Sequence, residues 1–79
     1  MPSATVENYI KEILILSIDE EKEIVGMGEI AKSLKVAPGT ATSMIKTLQK
    51  EKLVTYVARR GVNLTSKGRK LGMGMLRRH

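Results

Sequence analysis

The sequence predicts an α+β domain, mostly helical and closed by one small β-hairpin. Three observations carry that expectation. Apolar residues recur at three- and four-residue steps in four separate segments. Two short segments, Leu53–Val57 and Val62–Leu64, alternate with a period of two instead. In the run GEIAKSLKVAPGTATSMIKTLQKEKLVTYVARRG, from Gly28 to Gly61, a short amphipathic helix, a tight turn, a second helix with a small polar outer face and a basic hairpin follow without interruption. That order is the order of a winged helix-turn-helix, whose second helix is shaped for a DNA major groove and whose hairpin reaches the flanking backbone.

The first helix is expected to start at a Ser3 or Thr5 cap, with Glu7 favourably placed in its opening turn. Val6, Ile10, Ile13, Leu14 and Ser17 form its inner stripe, widened by Tyr9 and Leu16. The charge run Asp19–Glu23 reads as its solvated end, and Ile24-Val25 is too short for an independent strand but can pair with the hairpin edge. Gly26 and Gly28 mark a loop into a second helix, Glu29–Lys35, with Ile30, Ala31 and Leu34 inward. Val36 and Ala37 make the turn, and Pro38 suits the first position of a third helix, Pro38–Glu51. Ala41, Met44, Ile45 and Leu48 form its buried stripe. Ala58-Arg59-Arg60-Gly61 closes the hairpin, with Gly61 available for a positive φ. Thr65 or Ser66 caps a last helix running to His79, packed through Leu71, Met75 and Leu76; Gly68, Gly72 and Gly74 weaken it wherever they are interior and exposed, and its end is expected to fray.

The totals narrow the function classes. Seventy-nine residues make one domain, and a chain this short buries only about 60% of its unfolded surface, so its core is thin. With no Cys there are no disulfides and no thiolate metal sites, and an intracellular location follows by default. No apolar run approaches the ~18 residues of a membrane span, and no signal pattern opens the chain, so a cytoplasmic domain is expected. Tyr9 and Tyr56 are the only aromatics, which argues against stacking on single-stranded bases. Catalysis finds little support, because the one His is terminal and the carboxylates gather in a solvent-facing run. Gly72-Met73-Gly74-Met75 follows no strand and matches no phosphate loop, and its methionines read as packing rather than a soft-metal site.

Charge is distributed unevenly. Residues 1–43 hold four Lys against seven Asp/Glu, a net −3, whereas residues 44–79 hold ten Lys/Arg against Glu51 alone, a net +9. Such asymmetry points to a polyanion through phosphate neutralisation and counterion release. A solvated basic face without a partner is the alternative, and the order of the motifs favours nucleic acid.

Two groups of residues are placed to carry that contact. Groove entry requires small residues at the front of a helix and polar ones beside them, which Gly39, Thr40 and Ser43 supply, after Ala37 and Pro38 at the turn. Thr42, Lys46 and Lys50 are spaced to meet phosphates, and the helix N-terminus adds its own amide donors. An ordinary Thr/Ser-rich surface is the competing reading of this face. At the hairpin tip, Arg59 and Arg60 suit a narrow minor groove or a phosphate fork, or else serve to keep a β edge soluble.

ENYIKEI near the start, EIAKSLKVAPGTATSMIKTLQKEKLV in the middle and RRGVNLTSKGRKLGMGMLRRH at the end resemble the N-terminal domain of the diphtheria toxin repressor and manganese transport regulator family. The spacing Gly61, Leu64, Thr65, Gly68 with the terminal Arg-Arg-His is the more specific part of the likeness. The resemblance implies a bacterial repressor activated by Fe(II) or Mn(II), which reads a palindromic operator as a homodimer and carries a separate metal-binding and dimerisation domain. By the same resemblance Ala37, Gly39, Thr40, Thr42 and Ser43 occupy reading positions, with Ala37 in place of the usual Ser. Asn8 stands where members place a Met or Asp ligand, and Lys11 where the manganese branch has a Glu. His79 matches a ligand histidine whose partner Glu would fall four residues on.

The expectation is therefore a double-stranded DNA-binding domain at residues 1–79 of a metal-dependent repressor, without the metal and dimerisation domain. Such a chain should be a monomer or weak dimer and bind no metal by itself. A winged-helix module for an acidic protein partner, or a helix-turn-helix regulator with a non-metal effector, are the alternatives.

Overall fold

The computed structural model describes residues 4–77. Four helices and one hairpin follow in the order α1 (Ala4–Asp19), α2 (Met27–Leu34), α3 (Pro38–Lys50), β1 (Val54–Val57), β2 (Gly61–Leu64) and α4 (Ser66–Arg77). The arrangement is a winged helix-turn-helix. α4 packs on α1, α2 and α3 form the helix-turn-helix pair, and the antiparallel hairpin lies against α3. No helix of the described residues is long and apolar enough to cross a membrane.

The core gathers the predicted stripes. Ile10, Ile13 and Leu14 of α1 meet Ile30 and Ala31 of α2, Ala41, Ile45 and Leu48 of α3, and Val25, Leu53, Val54, Val62 and Leu64 around the hairpin. Tyr9 is buried beside them, and Val6, Leu16, Met44, Leu71, Met75 and Leu76 pack against the edge. Ser17 is tolerated inside because its hydroxyl donates to the Leu14 carbonyl at 2.7 Å, which removes the cost of an unpaired buried polar group. Met73, expected to pack, is 40% exposed instead.

Helix boundaries shift where capping chemistry was misread. α1 already includes Thr5, which is therefore not its cap, and Ser3 lies outside the described residues. α2 begins at Met27 rather than Glu29, so Gly28 is helical. Gly26 is the cap, and its N–H donates to the Glu29 carboxylate at 3.3 Å, pulling the start forward. Each of the first three helices closes with a bond from a residue two or three past its end back to the carbonyl five residues earlier. The pairs are Lys22 N–H to Ser17, Val36 N–H to Ala31 and Leu53 N–H to Leu48, each 3.0 Å. Leu53 thus belongs to the close of α3, and the strand starts only at Val54; the alternation expected over Leu53–Val57 is absent, because Leu53 and Val54 are both buried while Thr55 and Tyr56 are both exposed.

The hairpin pairs Val54 with Leu64, Thr55 with Asn63, Tyr56 with Val62 and Val57 with Gly61. Its turn is Ala58-Arg59-Arg60, one residue shorter than expected, closed by Arg60 N–H to the Val57 carbonyl at 3.0 Å. Val25 pairs with Val62 through two 2.8 Å bonds, as the sequence suggested. That close third edge explains Gly61, which has φ 137 and would place a Cβ 2.2 Å from the Val25 carbonyl oxygen.

Thr65 caps α4, accepting from Gly68 N–H at 3.1 Å while its hydroxyl donates to the Lys52 carbonyl at 2.7 Å. The exposure that would make the α4 glycines weak points is missing at two of them. Gly68 and Gly72 are buried, and a Cβ would stand 2.1 Å from the Leu53 carbonyl oxygen at the first and 3.0 Å from a Leu14 methyl at the second. They let α4 approach its neighbours closely. Only Gly74 faces open space.

Candidate nucleic-acid interface

α3 divides cleanly into two faces. Ala41, Ile45 and Leu48 are buried, whereas Ala37, Pro38, Gly39, Thr40, Thr42, Ser43, Lys46 and Lys50 are all exposed. A Cβ at Gly39 would meet nothing within 4 Å, so the front of the helix is low and unobstructed. Ala37 occupies the N-cap with no side-chain bond, and Pro38 brings no N–H. The Gly39 and Thr40 amides at this first turn are therefore left to an outside acceptor.

The hydroxyls on this face are not equivalent. Thr42 donates to the Pro38 carbonyl at 3.0 Å and Thr47 to the Ser43 carbonyl at 3.3 Å, so both protons are committed to the helix. Thr42, read from sequence as a phosphate donor, keeps only acceptor lone pairs and a methyl group in this rotamer. Among the described residues, the Thr40 and Ser43 hydroxyls have no protein partner and stay available to a ligand.

Arg59 and Arg60 occupy the hairpin turn, both exposed, with Arg59 at φ 66. Among the described residues, none of the cations of α3, the turn or α4 is held by a carboxylate. Two further exposed lysines, both with positive φ, were not singled out from sequence. Lys35 and Lys52 flank α3, and no local pattern marks them, because the backbone conformation that distinguishes them is one normally signalled by Gly. Lys67 reaches the same corner, its ammonium donating to the Glu51 carbonyl at 3.3 Å.

The resolved ionisation shifts lie away from this face. Glu20, then Glu29, hydrogen-bond the Lys22 ammonium and raise its pKa, while the bond from Lys22 lowers that of Glu29. Their separations are 3.0 Å and 3.1 Å, bracing the acidic turn against the start of α2.

The metal positions implied by resemblance do not assemble here. Among the described residues no group of three or more His, Cys, Asp or Glu could hold an ion. Asn8 is exposed and offers one neutral oxygen; Lys11, three residues on, carries an ammonium, which donates and repels a cation. His79 lies outside the described residues.

An exposed reading helix beside a basic hairpin defines the winged helix-turn-helix class of nucleic-acid binders. Residues 1–62 match the family model described as iron dependent repressor, N-terminal DNA binding domain. Similar curated proteins are the HTH-type transcriptional regulators MntR of Geobacillus kaustophilus and Geobacillus thermodenitrificans, 40% and 39% identical over all 79 residues and 55% of each relative. Among solved structures, ScaR with bound Zn2+ superposes with a TM-score of 0.77 at 31% identity, over 99% of this chain and 34% of that one. The manganese regulator SloR gives 0.71 at 28% identity, over 91% and 33%. The chain belongs to the iron-dependent repressor family as its N-terminal DNA-binding domain. It spans about half the length of the curated relatives it matches. The family regulates transcription by binding DNA and is not enzymatic.

Proposed function

We propose that α3 enters the major groove of duplex DNA and reads an operator, while the hairpin turn grips the flanking backbone. The observation that carries this reading is the exposed front of α3, open at Gly39 and bearing the unpartnered Thr40 and Ser43 hydroxyls. Thr40 and Ser43 reach base edges, and Ala37, Pro38 and Gly39 supply the close backbone approach. Lys46, Lys50, Arg59 and Arg60 neutralise phosphates, and Thr42 lends its methyl to a thymine methyl rather than a proton to a phosphate.

The whole protein is a repressor responsive to Fe(II) or Mn(II), acting as a homodimer in the cytoplasm. The regulators named above and the family description support this. The described residues do not fit a metal, so control is exercised by ligands and a dimer interface carried on chain outside them. Asn8 and His79 are the residues that family resemblance offers to such a site, Asn8 with at most a neutral oxygen.

The test is anisotropy titration of labelled duplexes at several salt concentrations. Log affinity is expected to fall linearly with log salt, by about 0.9 per neutralised phosphate. Lys46→Ala and Arg59→Ala should each lower that slope by about 1 and weaken all duplexes alike. Affinity indifferent to salt, with capture of acidic peptide in place of duplex, would overturn the reading.

A further inference from the structure

Helices α1, α2 and α3 end in the same backbone motif, and each places one residue in the left-handed region. These are Glu21 at φ 52, Lys35 at φ 58 and Lys52 at φ 61. Gly is the usual occupant, because any Cβ there crowds the following carbonyl. This chain puts Gly at none of the three. The remaining non-Gly residue with positive φ is Arg59 of the hairpin turn, at φ 66. Three of the four are therefore long cations, and all three are exposed.

Their placement is not scattered. Lys35 stands three residues before Pro38, the first residue of α3, and Lys52 two residues after Lys50, its last. Arg59 is in the turn already assigned to backbone contact. Glu21 is the exception in charge and in place, since it sits in the acidic turn after α1. A charge meant only for solubility is available at any exposed position without backbone strain. Side chains retained where strain is paid belong, by preference, to binding surfaces.

We infer that Lys35 and Lys52 are phosphate anchors bracketing the two ends of α3. The 13 residues of α3 make a helix about 20 Å long at 1.5 Å per residue, while the major groove is about 12 Å wide. A helix crossing that groove overhangs it, and cations just past its two ends meet the phosphate backbones that wall it. The backbone of Lys52 is fixed by its neighbours: its carbonyl accepts from the Thr65 hydroxyl at 2.7 Å and its N–H donates to the Gln49 carbonyl at 3.0 Å, while the residue itself is exposed. At the other end, Lys35 N–H donates to the Lys32 carbonyl at 3.2 Å.

This inference rests on the groove-docking reading, and the experiment separates the two. Lys35→Gly and Lys52→Gly are compared with Glu21→Gly, which relieves the same backbone strain without removing a cation, and with Lys46→Ala, which reports groove docking. All three glycine variants should melt at or above the temperature of the unaltered chain. Lys35→Gly and Lys52→Gly should nevertheless weaken every duplex and lower the salt slope by about 1 each. Glu21→Gly should leave the slope unchanged, and Lys35→Arg and Lys52→Arg should retain it. If Lys46→Ala lowers the slope while both lysine-to-glycine variants bind as the unaltered chain does, the anchors are refuted and groove docking stands. If the unaltered chain itself binds no duplex, both fall together.

Discussion

The carbonyl oxygen of Leu53 lies 2.1 Å from the point where a Cβ on Gly68 would stand, so α4 meets the end of α3 backbone to backbone. The same carbonyl accepts the Thr65 N–H at 3.1 Å, and the Thr65 hydroxyl caps α4 from the next position. This junction holds the reading helix to the frame formed by α1 and α4. Gly68→Ala must push the two backbones apart, and overpacking of this kind costs about 1–3 kcal/mol. Gly74→Ala meets nothing within 4 Å and should stabilise by about 0.4–1 kcal/mol through helix propensity and a less flexible unfolded chain. Urea melts of the two variants should move in opposite directions.

Gly39→Leu fills the open front of α3 without touching the core. The variant should unfold at a midpoint close to that of the unaltered chain and lose operator binding, because its side chain stands where the groove floor must come. Circular dichroism with a duplex titration checks both halves, and full-strength binding by a folded Gly39→Leu chain removes the docking geometry.

Ser43→Ala removes a hydroxyl that has no protein partner, so stability should barely change. Discrimination at one base pair should relax by at most about 1–3 kcal/mol, with the salt slope unaltered. Competition among singly substituted duplexes reads this directly. A uniform loss across all of them would instead mark Ser43 as a backbone contact.

The Lys22–Glu29 bridge sets a pH window for the start of α2. Because the Lys22 bond lowers the Glu29 pKa, the carboxylate's contribution is fully present above its ordinary value of 4.5 and is lost as pH falls through the lowered folded value. Because Glu20 and Glu29 raise the Lys22 pKa, the ammonium's contribution is present below 10.5 and is lost as pH rises through the raised folded value. Both groups are exposed, so the effect is small and falls with salt. Glu29→Gln should lower the urea midpoint at neutral pH and converge with the unaltered chain in strong acid. Equal differences at both pH values would assign the loss to the Gly26 cap instead.

Residues 1–79 alone offer one reading helix, whereas a palindrome needs two about 34 Å apart. This chain should sediment mainly as a monomer and bind duplex DNA in the range of about 10⁻⁴–10⁻⁶ M. Mn(II) or Fe(II), titrated anaerobically, should raise neither its melting temperature nor its DNA affinity, since a ligand stabilises only where a site exists. Micromolar metal binding that tightens DNA binding tenfold would overturn this and make Asn8, Glu12 or His79 ligands.

Local information determined most of the architecture. The stripe Ile10, Ile13, Leu14, the Pro38 start of α3 and the outward Gly39-Thr40-Ser43 face follow from helical period and capping preference, which act within a few residues. The charge imbalance and the Arg59-Arg60 pair between two short apolar runs likewise place a basic hairpin after the reading helix. Tertiary structure decided what depends on contacts distant in sequence. Gly68 and Gly72 look like helix defects until Leu53 and Leu14 are brought against them, and Gly61 is required as much by Val25 as by its own φ. The left-handed Lys35 and Lys52 were illegible because Gly is the residue that announces such a turn. Their backbone is held there by the packing of Val36 and Leu53, whose N–H groups must reach back to Ala31 and Leu48. Periodicity tells each segment which face to bury. Only the packed chain reveals where two backbones come too close for a side chain, and which exposed residues hold a strained conformation.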